Sequence, residues 1–533
     1  MGIITALTTL LSPDPSQTAA TFFVLGAASH QCIRHGEIDN RLRPLSAFYL
    51  STFVGLYVCY IRIFPLSWPR ALGGTILAAS SFNLGLFISI IIYRAFLHRL
   101  RHFPGSWMAK MTRISTALRT VERTQYHLDL REMHRKYGDF VRTGPREISI
   151  NRPSAVHPVS GPQSPCTKPT WYSHVSDDIT KVSLNSTRDP DVHRRRRRAW
   201  DRGFSMKALP TYEPRHQRKV NVLISQIRSR LDQPLNIAQW TMYLAFDVMG
   251  LVGFSKDFRQ LEDAAEHAAI KELHGQMLIL GILKPVPWVL TIIGAIQGLV
   301  GNYGQFMTYC ADRIAEKKAN KVPQDVISWL FKAVDEKDQS APLGAQALNE
   351  DGRLLIITGS DTTGVALANA FYYLAKHPAV YRKLQAELDS AFPCGNQSNG
   401  INNESLRNLP YLEAIDEVWV PGDTIIVVPQ YVVQRDDRYF PSGDEFIPER
   451  WLDEKRTLIR HEEAFFSFLL GRYGCVGKQL ALMEMRLVIA RIALEFDLAF
   501  APGDTGEAFD RGAKDTFTFT VGPLMLDIQP RSA

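Results

Sequence analysis

The sequence predicts a mainly α-helical protein with a small β lobe, one large globular domain preceded by N-terminal transmembrane helices. Three observations lead there. Seven stretches between residues 114 and 496 place apolar residues at three- and four-residue intervals, extended pieces are few and short, and three long uncharged stretches lie within the first hundred residues. With 533 residues, 45% apolar and 22% charged, the bulk of the chain must bury a core. A mean hydropathy of −0.11 excludes a wholly membrane-embedded transporter. The net charge of +7 comes partly from one run, Arg194 to Arg198, so the basic excess is local. Six scattered cysteines without a CxxC pair suit a reducing compartment.

The uncharged stretches are Pro15–Ile33, Pro44–Ile61 and Ala71–Tyr93, with 19, 18 and 23 residues. At about 1.5 Å per residue each is long enough to approach the roughly 30 Å of a hydrocarbon core. The third is the most apolar; the first contains Gln17, His30 and Gln31, which are costly in lipid. Residues 1–13 carry no basic residue, which argues against a cleaved signal peptide. Arg34, Arg41 and Arg43 follow the first stretch, and Arg94, Arg99, Arg101, Lys110 and Arg113 follow the third, whereas the loop Arg62–Arg70 carries only its two terminal arginines. Positive-inside bias then places residues 1–97 as a three-span anchor with a lumenal N-terminus and everything after residue 94 in the cytosol. Residues 98–113, with Phe103-Pro-Gly-Ser-Trp107, read as a stiff hinge off the membrane.

From residue 114 to 533 the chain reads as one domain without internal repeats. Helices are predicted over Ile114–Tyr137, Arg218–Leu231, Ala264–Leu280, Tyr303–Asn320, Leu354–Lys376, Ala379–Ser390 and Lys478–Phe496. Strands are predicted over Phe140–Arg142, Glu147–Ile150, Thr424–Val428 and Thr516–Val521.

Chemistry concentrates at two motifs. In Phe468-Leu-Leu-Gly471-Arg472-Tyr473-Gly474-Cys475-Val476-Gly477-Lys478 a cysteine stands just before a predicted helix, where unpaired N–H groups and the helix dipole favour a thiolate. Gly471 and Gly477 would permit a tight turn and the close approach of a flat ligand. A bare GxxxCxG is equally compatible with a buried capping cysteine. The second motif, Thr358-Gly359-Ser360-Asp361-Thr362-Thr363, puts polar side chains inside an apolar helix, which is costly unless they are used. Its bland reading is Ser/Thr hydroxyls bonding back to carbonyls four residues earlier.

F-x-x-G-x-x-x-C-x-G before an apolar helix resembles the haem-binding loop of the cytochrome P450 superfamily, and the Thr358–Thr363 stretch resembles that family's motif on the long helix crossing the distal haem face. Thr358 departs from the usual small first residue, and Tyr473 stands where a basic residue is common, as in the fungal variant. The resemblance implies a mainly α haem-thiolate fold with haem as cofactor and Cys475 as iron ligand, a cysteinate that favours O–O cleavage. It implies Phe468, Gly471, Arg472 and Gly477 as haem-loop residues, with Lys478 or Arg472 serving a propionate. Thr362 would donate a hydrogen bond to the oxygen ligand, and Asp361 would relay protons from solvent. His193 and Arg197, in the run His193–Phe204, match the helix that contacts haem propionates. A solvated basic face or a nuclear-import signal is the alternative reading of that run, and the anchor argues against import, so no nucleic-acid partner is expected. Asp444–Trp451 resembles the family's PERF element, and Tyr137–Arg142 the entry to its first strand.

The function implied is insertion of one oxygen atom of O2 into a lipophilic small molecule in fungal secondary metabolism, with electrons from NADPH–cytochrome P450 reductase docking near Arg472 and Lys478, at the endoplasmic reticulum membrane. Leu278–Leu290 and Val365–Leu367 are the apolar candidates for lining a substrate site. An isomerase or dehydratase of the same fold is the runner-up, and retention of Asp361 and Thr362 argues against it.

One family feature is missing. The helix carrying E-x-x-R, which locks onto the PERF arginine, should lie between the Thr358–Thr363 helix and Arg450. Instead Asn408–Ile415 runs directly into Asp416–Thr424, and neither Glu413 nor Glu417 has an arginine three residues on. A deletion near 415–421, from a skipped exon or faulty gene model, accounts for this better than a repurposed fold. Arg450 is then expected to be buried without its carboxylate, an expensive condition, and a haem-deficient membrane scaffold stays open as a different class of function.

Overall fold

The computed structural model describes residues 14–34, 41–173, 178–293, 303–319, 324–392, 401–406, 409, 426–452, 456–516 and 518–531. The predicted end of one helix at Asn320, the strand start at Thr424 and the junction from Glu413 to Val420 lie outside them.

Three helices lead the chain, Pro15–Ile33, Leu42–Arg62 and Trp68–Ile92. The first starts where Asp14 caps it, its side chain accepting from the Ser16 and Gln17 N–H groups, with Pro15 in the first turn. The first and third helices touch backbone to backbone: a Cβ on Gly26 would fall 2.0 Å from the Phe82 carbonyl oxygen, and one on Gly85 2.0 Å from that of Phe23. Small residues permit this approach in helix pairs that gain little from apolar burial. Of the polar residues that made the first stretch costly, His30 is buried against the third helix, whereas Gln17 and Gln31 are exposed. His30 Nδ1 meets Ser89 Oγ at 2.8 Å and Gln31 donates to the same hydroxyl at 3.1 Å. Phe48, Leu50, Val54, Ile76 and Phe87 face outward and are more than half exposed. Pro44–Arg62 and Trp68–Leu97 are long and apolar enough to cross a membrane. So are Ile237–Phe254 and Ala345–Lys376, but these are mostly buried and belong to the core.

The core is built around Ala345–Lys376, a 32-residue helix. It packs against Ile237–Phe254, sixteen of whose 18 residues are buried, and against Lys478–Glu495. Helices Leu209–Arg228, Ala268–Leu283, Tyr303–Ala319, Val326–Asp335 and Pro378–Ala391 surround them. Ile114–Tyr137 is two helices, Ile114–Arg123 and Tyr126–Tyr137, rather than the single one expected: Thr124 takes a left-handed φ of 53°, which ends the first. The β lobe has two three-stranded sheets. Phe140–Gly144 pairs antiparallel with Glu147–Ile150, which pairs parallel with Ile426–Val427. Leu235–Asn236 and Phe496–Phe500 flank Met525–Pro530, all antiparallel. The predicted strand Thr516–Val521 is instead the turn and second arm of a hairpin, Lys514–Asp515 with Phe519–Thr520.

Candidate active site

The loop before Lys478–Glu495 is shaped by its glycines unequally. Gly471 has φ +62°, and a Cβ there would lie 2.5 Å from the Gly161 carbonyl carbon, so no other residue fits. Gly477 has an ordinary φ of −85°, and a Cβ would meet only Phe204 at 3.7 Å and Cys475 Sγ at 3.9 Å. The turn therefore does not require Gly477, contrary to expectation; its small size leaves room beside the sulfur. The Cys475 N–H donates to the Phe468 carbonyl at 2.8 Å. Cys475 is exposed only toward a cavity of about 240 Å³ that it lines with His193, Arg197, Trp200 and Thr358. Burial among protein atoms pushes its thiol pKa up, opposed by the Gly477 N–H, the Arg197 charge and the Lys478 N–H.

The other wall comes from helix Pro190–Gly203, begun by the Asp189 cap and Pro190. It is clamped to the central helix by a fully buried pair, Arg196 to Asp351 at 2.8 Å, whose other carboxylate oxygen accepts from the Leu184 N–H at 2.7 Å. Of the five arginines in the run, Arg196 is thus structural, while Arg194, Arg195 and Arg198 are exposed. Arg197 turns inward, donating to the Gly474 carbonyl at 2.7 Å and to Asp201 at 2.7 Å. His193 is buried, edge-on to Tyr473 with centroids 4.9 Å apart, and its Nδ1 has no partner among the described residues. Burial, then Lys168, Arg197, Arg196 and Arg472, push its pKa down to about 3.

Lys168, which the sequence reading missed, sits 4.7 Å above the Tyr473 ring, and burial followed by Arg196 and Arg197 lowers its pKa to about 7. No short motif surrounds it; only the fold brings it here. Arg472 donates to the Ser164 carbonyl at 2.7 Å and Lys478 lies over Phe468, so neither of the cations expected at a propionate lines the cavity.

The central helix passes opposite. All four hydroxyls of the second motif bond back to carbonyls four residues earlier, Thr362 to Thr358 at 2.9 Å and Thr358 to Leu354 at 2.8 Å, and the helix continues unbroken. Thr358 lines both the Cys475 cavity and a larger one of about 790 Å³, which Thr362 lines too. The larger cavity is bounded by Leu280, Gly281 and Trp288, as expected, and extends to Arg94 and His98 at the end of the third N-terminal helix. Val365, Ala366 and Leu367 are buried and line neither cavity, which corrects their candidacy. Asp361 is buried and also lines neither; it bonds to His274 and Thr518 instead.

These residues fit the haem that the resemblance implies. A thiol supported by two backbone N–H groups faces a cavity whose edge carries Lys168, His193 and Arg197, with an orphaned imidazole nitrogen and mutually repelling cations that carboxylates would satisfy. Among the described residues, the one acidic cluster of metal-ligand spacing, Asp247, Asp257 and Glu262, is filled by Lys219, whose Nζ lies 2.6–3.1 Å from all three.

Arg450 is buried, as expected, but not orphaned: its guanidinium donates to the carbonyls of Pro441 (2.7 Å), Leu458 (2.7 Å) and Ser442 (2.9 Å). Among the described residues no carboxylate pairs with it, and burial lowers its pKa.

The chain matches the family model described as Cytochrome P450 in two pieces, residues 110–418 and 414–527. Cytochrome P450 monooxygenase orf5 of Eupenicillium brefeldianum is 36% identical over 475 residues, covering 84% of this chain and 95% of the relative. Cytochrome P450 monooxygenase FCK2 of Fusarium pseudograminearum is 34% identical over 550 residues, covering 97% and 98%. Tryprostatin B 6-hydroxylase of Aspergillus fumigatus is 30% identical, covering 85% of each. Among solved structures, the cytochrome P450DA haem domain superposes with a TM-score of 0.63 at 18% identity, covering 78% of this chain and 95% of that one.

Proposed function

The chain belongs to the cytochrome P450 family, and from that premise we propose that it is a monooxygenase that holds haem through Cys475 and inserts one oxygen atom of O2 into a lipophilic fungal secondary metabolite. The observation that carries this reading is the placement of Cys475 and Thr358 on one cavity, continuous through Thr358 with the chamber that Thr362 lines. Bound haem supplies reductive activation of O2. The chain supplies the rest. The N–H groups of Gly477 and Lys478 would support the sulfur as thiolate once iron is bound, against the burial that raises its pKa, and Lys168, His193 and Arg197 would take the haem carboxylates. Thr362 gives its hydroxyl proton to the Thr358 carbonyl at rest and is free to redirect it into the chamber. Asp361, one residue away, would pass on the proton that replaces it. An oxygen-independent isomerase has no use for that pair.

Thr362→Ala is expected to keep haem and the spectral response to bound compounds. With reductase and NADPH it should yield about tenfold less product per NADPH and correspondingly more hydrogen peroxide, less than the roughly 10²–10⁴-fold of a positioned proton donor because water can stand in for the hydroxyl. Unchanged coupling would remove the role assigned to Thr362.

Family membership implies a redox partner. Arg195, Arg198 and Lys478 are exposed cations on the helix and loop that carry Arg197 and Cys475, and they would suit the acidic face of NADPH–cytochrome P450 reductase. The chamber's extension to Arg94 and His98 supports entry of lipophilic substrate from the membrane, with residues 1–97 as a three-span anchor in the endoplasmic reticulum and the catalytic domain in the cytosol. In sealed microsomes, protease added outside should digest residues 94–533 and spare Arg62–Arg70. Reporters on that loop and on the C-terminus found on one side would overturn the three-span topology.

A further inference from the structure

Asp361 has no direct exit to water: it is 2% exposed, and both carboxylate oxygens are engaged. Oδ1 meets His274 Nε2 at 3.2 Å, and Oδ2 accepts from the Thr518 hydroxyl at 3.0 Å. His274 Nδ1 in turn meets Glu266 Oε1 at 2.6 Å. The three side chains form a line from buried to open, 3% exposed at Asp361, 29% at His274 and 30% at Glu266. Phe246 closes one side of the imidazole, edge-on with centroids 5.6 Å apart.

With a carboxylate on each nitrogen, His274 is held as the doubly protonated ring. Burial pulls its pKa down, but hydrogen bonds to Asp361 and Glu266 and their charges outweigh it and raise the value to about 10. A clip between helix Ala268–Leu283 and the central helix would need only a cation. A protonated ring held by one carboxylate, partly open to water and facing a buried carboxylate with its other nitrogen, can also give that buried group a proton.

We propose that Glu266 and His274 are positioning residues that reload Asp361 with protons. His274 gives its Nε2 proton to Asp361 Oδ1, the neutral ring keeps its Nδ1 proton on the Glu266 carboxylate, and water reaching the 29% exposed ring returns a proton to Nε2; no carbon bond changes and no electron moves. The inference rests on the reading of Asp361 and Thr362 given above, and it adds the route by which protons arrive.

The test uses the full haem-loaded chain with reductase in nanodiscs, and two variants, His274→Gln, which keeps a hydrogen-bond donor but cannot relay, and Glu266→Gln at the half-exposed end. Diethyl pyrocarbonate, which attacks only neutral imidazole, gives a readout that needs no turnover. By peptide mass spectrometry His274 should react far more slowly than the exposed His157 at pH 7, and about tenfold faster in Glu266→Gln. His274→Gln should slow NADPH oxidation about tenfold and enlarge its solvent isotope effect, which loss of a mere clip would not do. An unchanged isotope effect in His274→Gln, or a parent His274 as reactive as His157, overturns the relay. If Thr362→Ala still uncouples in that case, only the relay fails; if Thr362→Ala is also silent, the underlying reading of the distal site fails.

Discussion

Inserting the family's E-x-x-R segment between Ile415 and Pro421 should raise the haem retained per protein at least about tenfold over the chain as it stands. The family match breaks at this point, its two pieces meeting at 414–418. The alignment with the Fusarium relative runs over 550 positions against 533 residues here, so the relative carries residues that this chain lacks. Arg450 stays behind, its guanidinium held by three carbonyls. Carbonyls satisfy its donors but not its charge. Removing one partner of a buried ion pair typically costs about 3–5 kcal/mol, of which neutral carbonyls recover only part, because they leave the charge uncompensated. A residual deficit of about 1.4 kcal/mol already means tenfold in retention. Haem content of the two proteins, purified alike, measures it. Sequencing the transcript across this junction should reveal in-frame coding sequence containing E-x-x-R. Equal haem content would show that the segment is dispensable here.

What the sequence made legible was whatever chemistry is local. Cys475 directly follows the turn that Gly471 and Gly474 bound and stands three residues before Lys478 opens a helix, and the spacing alone placed it at a helix start, where it lies. The Thr358–Thr363 motif likewise announced itself by polarity inside an apolar helix. The bland reading of its hydroxyls describes the structure, because back-bonding satisfies them, while the Asp361 carboxylate finds its partners elsewhere. Those partners were invisible: His274 and Thr518 lie 87 and 157 residues from Asp361 in sequence, and nothing local marks either. Lys168 was hidden for the same reason. Ile237–Phe254 was missed because burial on all sides erases periodicity, the signal that revealed the half-exposed helices. The break at Thr124 was missed because apolar spacing continues through it.

Cys475→Ser should abolish thiolate-ligated haem altogether. A serine hydroxyl ionises far less readily than a thiol, so the N–H groups of Gly477 and Lys478 that support a thiolate cannot make it an equivalent ligand. Among the described residues no other cysteine is placed to substitute: Cys32 and Cys59 sit on the N-terminal helices, Cys310 is buried in the core among helices, and Cys166, which also borders the smaller cavity, belongs to a loop rather than to the start of a long helix. The most direct measurement is the carbon monoxide difference spectrum of the reduced protein, recorded on the parent chain, on the chain carrying the E-x-x-R segment, and on Cys475→Ser in each. The parent pair should differ in amplitude and share the red-shifted Soret band that marks thiolate ligation, and both serine variants should lack it. A red-shifted band that survives Cys475→Ser, or that disappears only when Cys166 is replaced, would contradict the assignment on which the account rests.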